Sequence, residues 1–267
     1  MSLAGLSLIS CKNEKTVEKT AETISEPAME FQNKAHELVY QMVEKAGTFQ
    51  DLLALKDVSY TYFYTTPDND RDSANEQYIF DGELSYSNYF KHERTLANLE
   101  GTFEQGYDGK NFWLKHNGEY ISDSNMMKRV VFNRKTNFYW FTMMQKLTDP
   151  GLNYEFVGED TIEGKDYNIV KISFNSDKPT DIYQLYLNKK TSLVDQFLFT
   201  VADFNKMDPF LMKVKYEEIN GLHLPTTRIY TAGNWEGQNL SENWIKVNWK
   251  NIKFNTNIPK TRFEENK

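Results

Sequence analysis

A chain of 267 residues with 39% hydrophobic and 15% aromatic residues can bury a sizeable core, which excludes a disordered protein. A net charge of −7 excludes a general nucleic-acid binder, because it would neutralise few phosphates, and a single cysteine excludes an internal disulfide. No Cys/His cluster offers a common zinc site, no cofactor motif is present, and no stretch reaches the ~18 apolar residues of a membrane-spanning helix.

The chain opens on small and apolar residues, LAGLSLIS, that lead into Cys11. Leu8-Ile9-Ser10-Cys11 resembles the lipobox of bacterial lipoproteins, with an aliphatic residue three before the cysteine and a small one just before it. The resemblance implies that residues 1–10 are the remnant of a signal peptide, one that lacks a basic start. It also implies that Cys11 carries lipid and holds the protein on a membrane. Several acyl chains are needed for this, because each buried methylene adds only ~0.8 kcal/mol. Lys12 follows, rather than the Asp that retains enterobacterial lipoproteins at the inner membrane, so an outer-membrane lipoprotein is expected, on either face. Residues 11–28 then alternate Lys12, Lys15 and Lys19 with Glu14, Glu18, Glu22 and Glu26, almost without large apolar side chains. That composition predicts a flexible tether with a reach of roughly 20–25 Å.

A single domain is expected over 29–267. Met29, Leu38, Val39, Met42 and Val43 recur at helical spacing and Gly47 stops the run, which predicts a first helix; FQDLLAL adds a shorter one. The period then becomes two. VSYTYFYTT (58–66) and QYIFDGELSY (77–86) predict strands around a polar loop, PDNDRDSANE. SNYFKHE, TFEQGYDG, KNFWLKH and GEYIS follow, with Asn117-Gly118 a strong hairpin signal between the last two. Residues 123–148 interrupt the strands; they predict two short buried helices, the first capped by Ser122 or Asp123. After Asp149-Pro150-Gly151 strands resume to the end, all with room to pair antiparallel.

This order of elements resembles the LolA/LolB-like lipoprotein carriers. Asp108-Gly109-Lys110 with Trp113 resembles the DGK-x-x-W strand of that group, IYQLYLNKKTSLVDQFLF its long hairpin, and EINGLHLPTT and NIKFNTNIPKTRF its closing strands. The likeness covers about 29–264, and uncharacterised lipoproteins of Bacteroidetes-type bacteria are the nearest in kind. It implies a mainly β, α+β fold: an antiparallel open half-barrel with helices over its concave face. The soluble carriers latch the lid with an arginine in an Arg-Pro pair; the matching FKHERTLANLE carries Arg94 with no proline after it.

On such a fold Phe103, Phe112, Trp113, Met127, Val131, Trp140, Phe141 and Met144 are the candidates to line a cavity for a lipid or acyl chain, since Met and aromatics make adaptable walls. The same residues also serve as an ordinary core. The first reading is therefore a monomeric, non-catalytic envelope protein that binds an apolar ligand. A second is an interaction module that presents Trp235, Trp244 and Trp249 on its outer face to a protein or glycan. A third is a hydrolase. His36, His92, His116 and His223 lie on four separate elements, without metal or triad spacing, and no Gly-x-Ser-x-Gly elbow occurs. Asp68, Asp70 and Asp72 open like a calcium loop, but Ser73 and Ile79 stand where glycine and glutamate are needed, so a solvated hairpin tip is expected.

Overall fold

Asn33 starts the folded region: its side chain accepts hydrogen bonds from the backbone of Ala35 and His36 and caps helix α1 (Lys34–Ala46). The computed structural model describes residues 30–265, so Cys11 and the tether lie outside the described residues. Ala35, Val39, Met42, Val43 and Ala46 form the buried face of α1 at intervals of three and four, and Gly47, at φ 95°, ends it. Helix α2 (Phe49–Ala54) begins on a capping box made by Thr48 and Asp51.

Thirteen strands follow in one antiparallel sheet. The first six are β1 (Asp57–Thr65), β2 (Arg71–Ile79), β3 (Leu84–His92), β4 (Phe103–Tyr107), β5 (Phe112–His116) and β6 (Glu119–Tyr120). They meander outward from β1 to a free edge at β6, the last turn made by Asn117-Gly118 with both residues at positive φ. Helix α3 (Ser124–Lys146) then crosses to the opposite edge; its 23 residues reach about 35 Å. From that edge β7 (Leu152–Ile162), β8 (Lys165–Phe174), β9 (Ile182–Asn188), β10 (Val194–Val201), β11 (Lys206–Ile219), β12 (Leu222–Ala232) and β13 (Ile245–Phe254) meander back. Strand β13 pairs with β1, Tyr62 opposite Trp249, so the first and last strands meet mid-sheet. The fold is a mainly β, unclosed half-barrel, with α3 laid over its concave face.

Two expectations are corrected. Within 123–148 a single helix, Ser124–Lys146 capped by Asp123, replaces the two short ones expected. The polar run NRKTN in its middle carries no Gly or Pro, and nothing else ends a helix there. Residues 71–76, expected in a loop, begin β2, so the β1–β2 turn is confined to Thr66–Asp70; a second turn falls at Phe80–Glu83, inside the expected strand 77–86, where Gly82 and Glu83 take positive φ. The expected strand 77–86 is thereby divided between β2 and β3. Asp72 and Glu76 sit in a strand because Arg94 and Arg134, far along the chain, neutralise them.

The concave face carries two apolar clusters, both reached by α3. Tyr78, Phe80, Phe103, Leu114, Val130, Phe138 and Phe141 fill the half under β1–β5. Met42, Met143, Met144, Val170, Leu185, Phe197 and Met212 fill the half that α1 covers. Alternate strand residues such as Tyr167, Tyr186, Leu198 and Leu211 form a smaller cluster on the convex side.

Candidate functional site

Along α3, Arg129, Phe132, Asn133, Thr136, Asn137 and Trp140 recur at intervals of three and four and share one face. That face roofs a hollow of about 590 Å³. The neighbouring face carries Arg134, Phe138 and Phe141 into the core. One helix therefore packs with one side and spans open space with the other.

The floor and walls come from strands of period two. Strand β1 supplies Tyr60, Tyr62 and Tyr64; β10 supplies Phe199; β11 supplies Phe210 and Met212; β12 supplies Arg228 and Tyr230; β13 supplies Val247 and Trp249. Trp140 packs on Phe199, edge to face, with ring centres 5.2 Å apart. The hydroxyls of Tyr64 and Tyr230 hydrogen-bond at 2.7 Å across the hollow's wall. At the rim Phe132 meets the exposed Phe204 at 4.8 Å, and a shallower recess of about 400 Å³ continues along Val131 and Lys128. Arg94, Arg129, Lys135, Asp181, Asp203 and Lys206 surround the opening. Burial raises the pKa of Asp181, which accepts a hydrogen bond from the Ala202 backbone.

Arg228 is the unusual member. It is 5% exposed and lies over the ring of Trp249 at 4.1 Å and of Trp140 at 5.6 Å. Burial lowers its pKa to about 10, with nearby tyrosines acting the other way, so it stays cationic at neutral pH. Among the described residues it forms no ion pair, and its Nε has no acceptor.

A second buried arginine, Arg134, is bonded at all three of its nitrogens. Its Nη1 donates to Glu76 Oε2 at 2.8 Å and its Nη2 to Glu76 Oε1 at 3.0 Å. Gln105 accepts from its Nε and Ser85 from its Nη1, while Asn137 and Tyr78 donate to Glu76. Burial alone works against the charge, but the Glu76 carboxylate holds the pKa above the ordinary arginine value. This network fastens the middle of α3 to β2, β3 and β4. Arg94, the nearest counterpart of the carriers' latch arginine, pairs with Asp72 at 3.0 Å and lies over Tyr64 at the rim.

The predicted lining residues are dispersed. Trp140 faces the hollow and Val131 the outer recess. Phe103 and Phe141 lie in the core under β1–β5, and Met144 in the core under α1. Met127 packs on the edge of the first cluster, as does Phe112, which stacks on Tyr107 at 4.2 Å. Trp113 points to the other side of the sheet. There its Nε1 donates to the Phe263 carbonyl at 2.6 Å and fastens the C-terminal segment. A side chain on Gly106 would overlap this indole. Sequence reasoning missed Arg228 and the tyrosines. The available signal was LHLPTTRIYTA, where Arg228 falls in register with inward-facing Leu222, Leu224 and Tyr230.

The other candidates fall apart in space. Trp249 floors the hollow, whereas Trp235 and Trp244 pack half-buried on the convex cluster, so the three share no outer patch. His92 and His116 bond the carbonyls of Gly101 and Glu100, His36 stacks on Tyr154, and His223 lies near Glu218. Asp72 is buried in β2, apart from the turn that holds Asp70. Among the described residues no group of three His, Cys, Asp or Glu could hold a metal, and no helix is long and apolar enough to cross a membrane.

Residues 106–221 match the model of a family of unknown function, DUF6503. No curated protein matches the chain. Among solved structures it is similar to a DUF1329 family protein from Desulfovibrio piger at 16% identity, over 86% of this chain and 97% of that one, with a TM-score of 0.53. That likeness is one of fold. A LolA superfamily protein from Nitrosomonas europaea follows at 13% identity, over 82% and 99%, with a TM-score of 0.46. A domain named for outer-membrane lipoprotein sorting, from Vibrio parahaemolyticus, stands at 10% identity, over 85% and 97%, with a TM-score of 0.48.

Proposed function

We propose that this protein binds a lipid or acyl-chain ligand in the hollow beneath α3, as a non-catalytic component of the cell envelope held at the outer membrane through lipidated Cys11. The observation that carries the reading is the hollow itself. Its 590 Å³ lie within the usual range for small-molecule sites, and aromatic and Met side chains make its walls. A volume of this size suits one single-chain amphiphile. The Arg134–Glu76 network supports the same reading, since it holds α3 across the sheet without the helix having to fill the space below. The neighbours named for lipoprotein sorting agree with an envelope role.

Native mass spectrometry of protein purified without detergent tests the hollow. Bound amphiphile is expected as a mass excess that denaturation releases. Thr136→Trp, which places an indole under the roof, should abolish uptake of a fluorescent fatty-acid analogue by delipidated protein while thermal stability is retained. Ligand-free masses together with no uptake by the unsubstituted protein would sink the reading. The anchor has its own test: Cys11→Ser should move the protein from the membrane to the soluble fraction with its fold unchanged, and a mutant that still sediments with membranes contradicts it.

A further inference from the structure

The hollow is not electrically neutral. Arg94, Arg129, Lys135, Lys206 and Arg228 line it, against Asp181 and Asp203; with Arg94 already paired to Asp72, four cations face two carboxylates, in a chain whose net charge is −7. An excess of one sign in a low-dielectric cleft draws in the opposite charge.

Its unsatisfied groups point the same way. Among the lining residues, the buried side-chain atoms without a hydrogen-bond partner are Arg228 Nε, Trp249 Nε1 and Asn133 Nδ2. All three are donors. Guanidinium and indole carry no acceptor at all, so neither Arg228 nor Trp249 can be satisfied by a donor. A buried cation without an anion is costly, and aromatic faces offset only part of that cost. Arg134, on the same concave face, shows how this fold completes a guanidinium when the partner is internal: two bonds to Glu76 and one each to Gln105 and Ser85. No side chain does this for Arg228 among the described residues.

We infer that the hollow selects an anionic amphiphile: a carboxylate or phosphate headgroup bound at Arg228 between Trp140 and Trp249, with the apolar chain running along Phe199, Phe210 and Met212. This deepens the reading that the hollow binds a ligand, and rests on it. Guanidinium suits both headgroups, since each accepts two parallel N–H bonds. The rim cations lie along the route of entry.

The test uses delipidated full-length protein at pH 8 and three sixteen-carbon probes held below their micelle concentrations: palmitate, hexadecyl phosphate and 1-hexadecanol. Displacement of a fluorescent fatty-acid analogue reads their affinities. At least one anion is expected to bind tenfold or more tighter than the alcohol. Preference for palmitate assigns a free fatty acid, and preference for hexadecyl phosphate a phosphate-headed lipid; either supports the inference. Arg228→Met should remove the preference and leave the anions no tighter than the alcohol. Arg228→Lys should keep part of it, which separates lost charge from a collapsed hollow. Equal affinity of the unsubstituted protein for all three probes overturns the headgroup assignment and leaves the hollow a ligand site. Retention of the preference in a folded Arg228→Met protein also overturns it. If no probe binds, charged or neutral, the ligand reading fails and this inference with it.

Discussion

Arg134 and Arg228 are both buried on the concave face of one sheet, yet one is bonded at all three nitrogens, while the other has no ion-pair partner among the described residues and no acceptor at its Nε. The half-barrel is correspondingly uneven. Under β1–β5 the face is filled by Tyr78, Phe80, Phe103 and Phe141 around the Arg134–Glu76 pair. Toward β10–β13 it is hollow, with Arg228 in the floor. A buried pair is weak evidence for net stability, but breaking one leaves a stranded charge. Arg134 therefore reports how the lid is fastened, and Arg228 what the hollow is for.

The largest effect should come from breaking the matched side. Glu76→Ala strands Arg134 in the core and is expected to cost about 3–5 kcal/mol in urea unfolding. The double variant Glu76→Gln with Arg134→Met removes both charges and should lose clearly less. Equal losses for single and double variants would mean that the pair is not a unit.

Arg228→Met probes the other side with the opposite sign. Removal of an unpaired buried cation should raise stability by about 1 kcal/mol. The folded-state pKa, near 10, lies below the unfolded value. The penalty is therefore full below pH 10 and fades as pH rises through that value, and so should the gain. A loss of stability at pH 7 would show that an internal partner satisfies Arg228.

Asp181→Asn should have the smallest effect, under about 1 kcal/mol, because solvent screens a half-buried rim carboxylate. Its folded-state pKa is raised, chiefly by burial, so its contribution is present at acid pH and lost as pH rises through that raised value. The amide keeps the bond from the Ala202 backbone. The variant should match the parent in acid and exceed it slightly at neutral pH. Identical pH–stability curves would contradict this.

Much of the fold was legible along the chain. The stripe Val39, Met42 and Val43, the stop at Gly47 and the turn at Asn117-Gly118 each rest on neighbouring residues, and each appears where local pattern places it. The candidate site was far less legible. Of the eight predicted lining residues only Trp140 faces the main hollow. Apolar character marks a side chain for burial, but it does not say whether packed core or open space lies beyond. Phe138, Phe141 and Trp140 are close in sequence, yet a 100° step per residue sends them to different surroundings.

By itself, then, the sequence determined the mainly β character, the antiparallel meander and the long interruption before Asp149, because periodicity and turn chemistry act within a few residues. The tertiary structure decided that the interruption is one helix, that Asp72 and Glu76 belong to a strand, and that Arg228 has no ion-pair partner among the described residues. Glu76 meets Arg134 across 58 residues and Asp72 meets Arg94 across 22, and only a folded chain brings such charges together. Whether a buried charge finds its partner is a property of the whole sheet, and so is the space left where it does not.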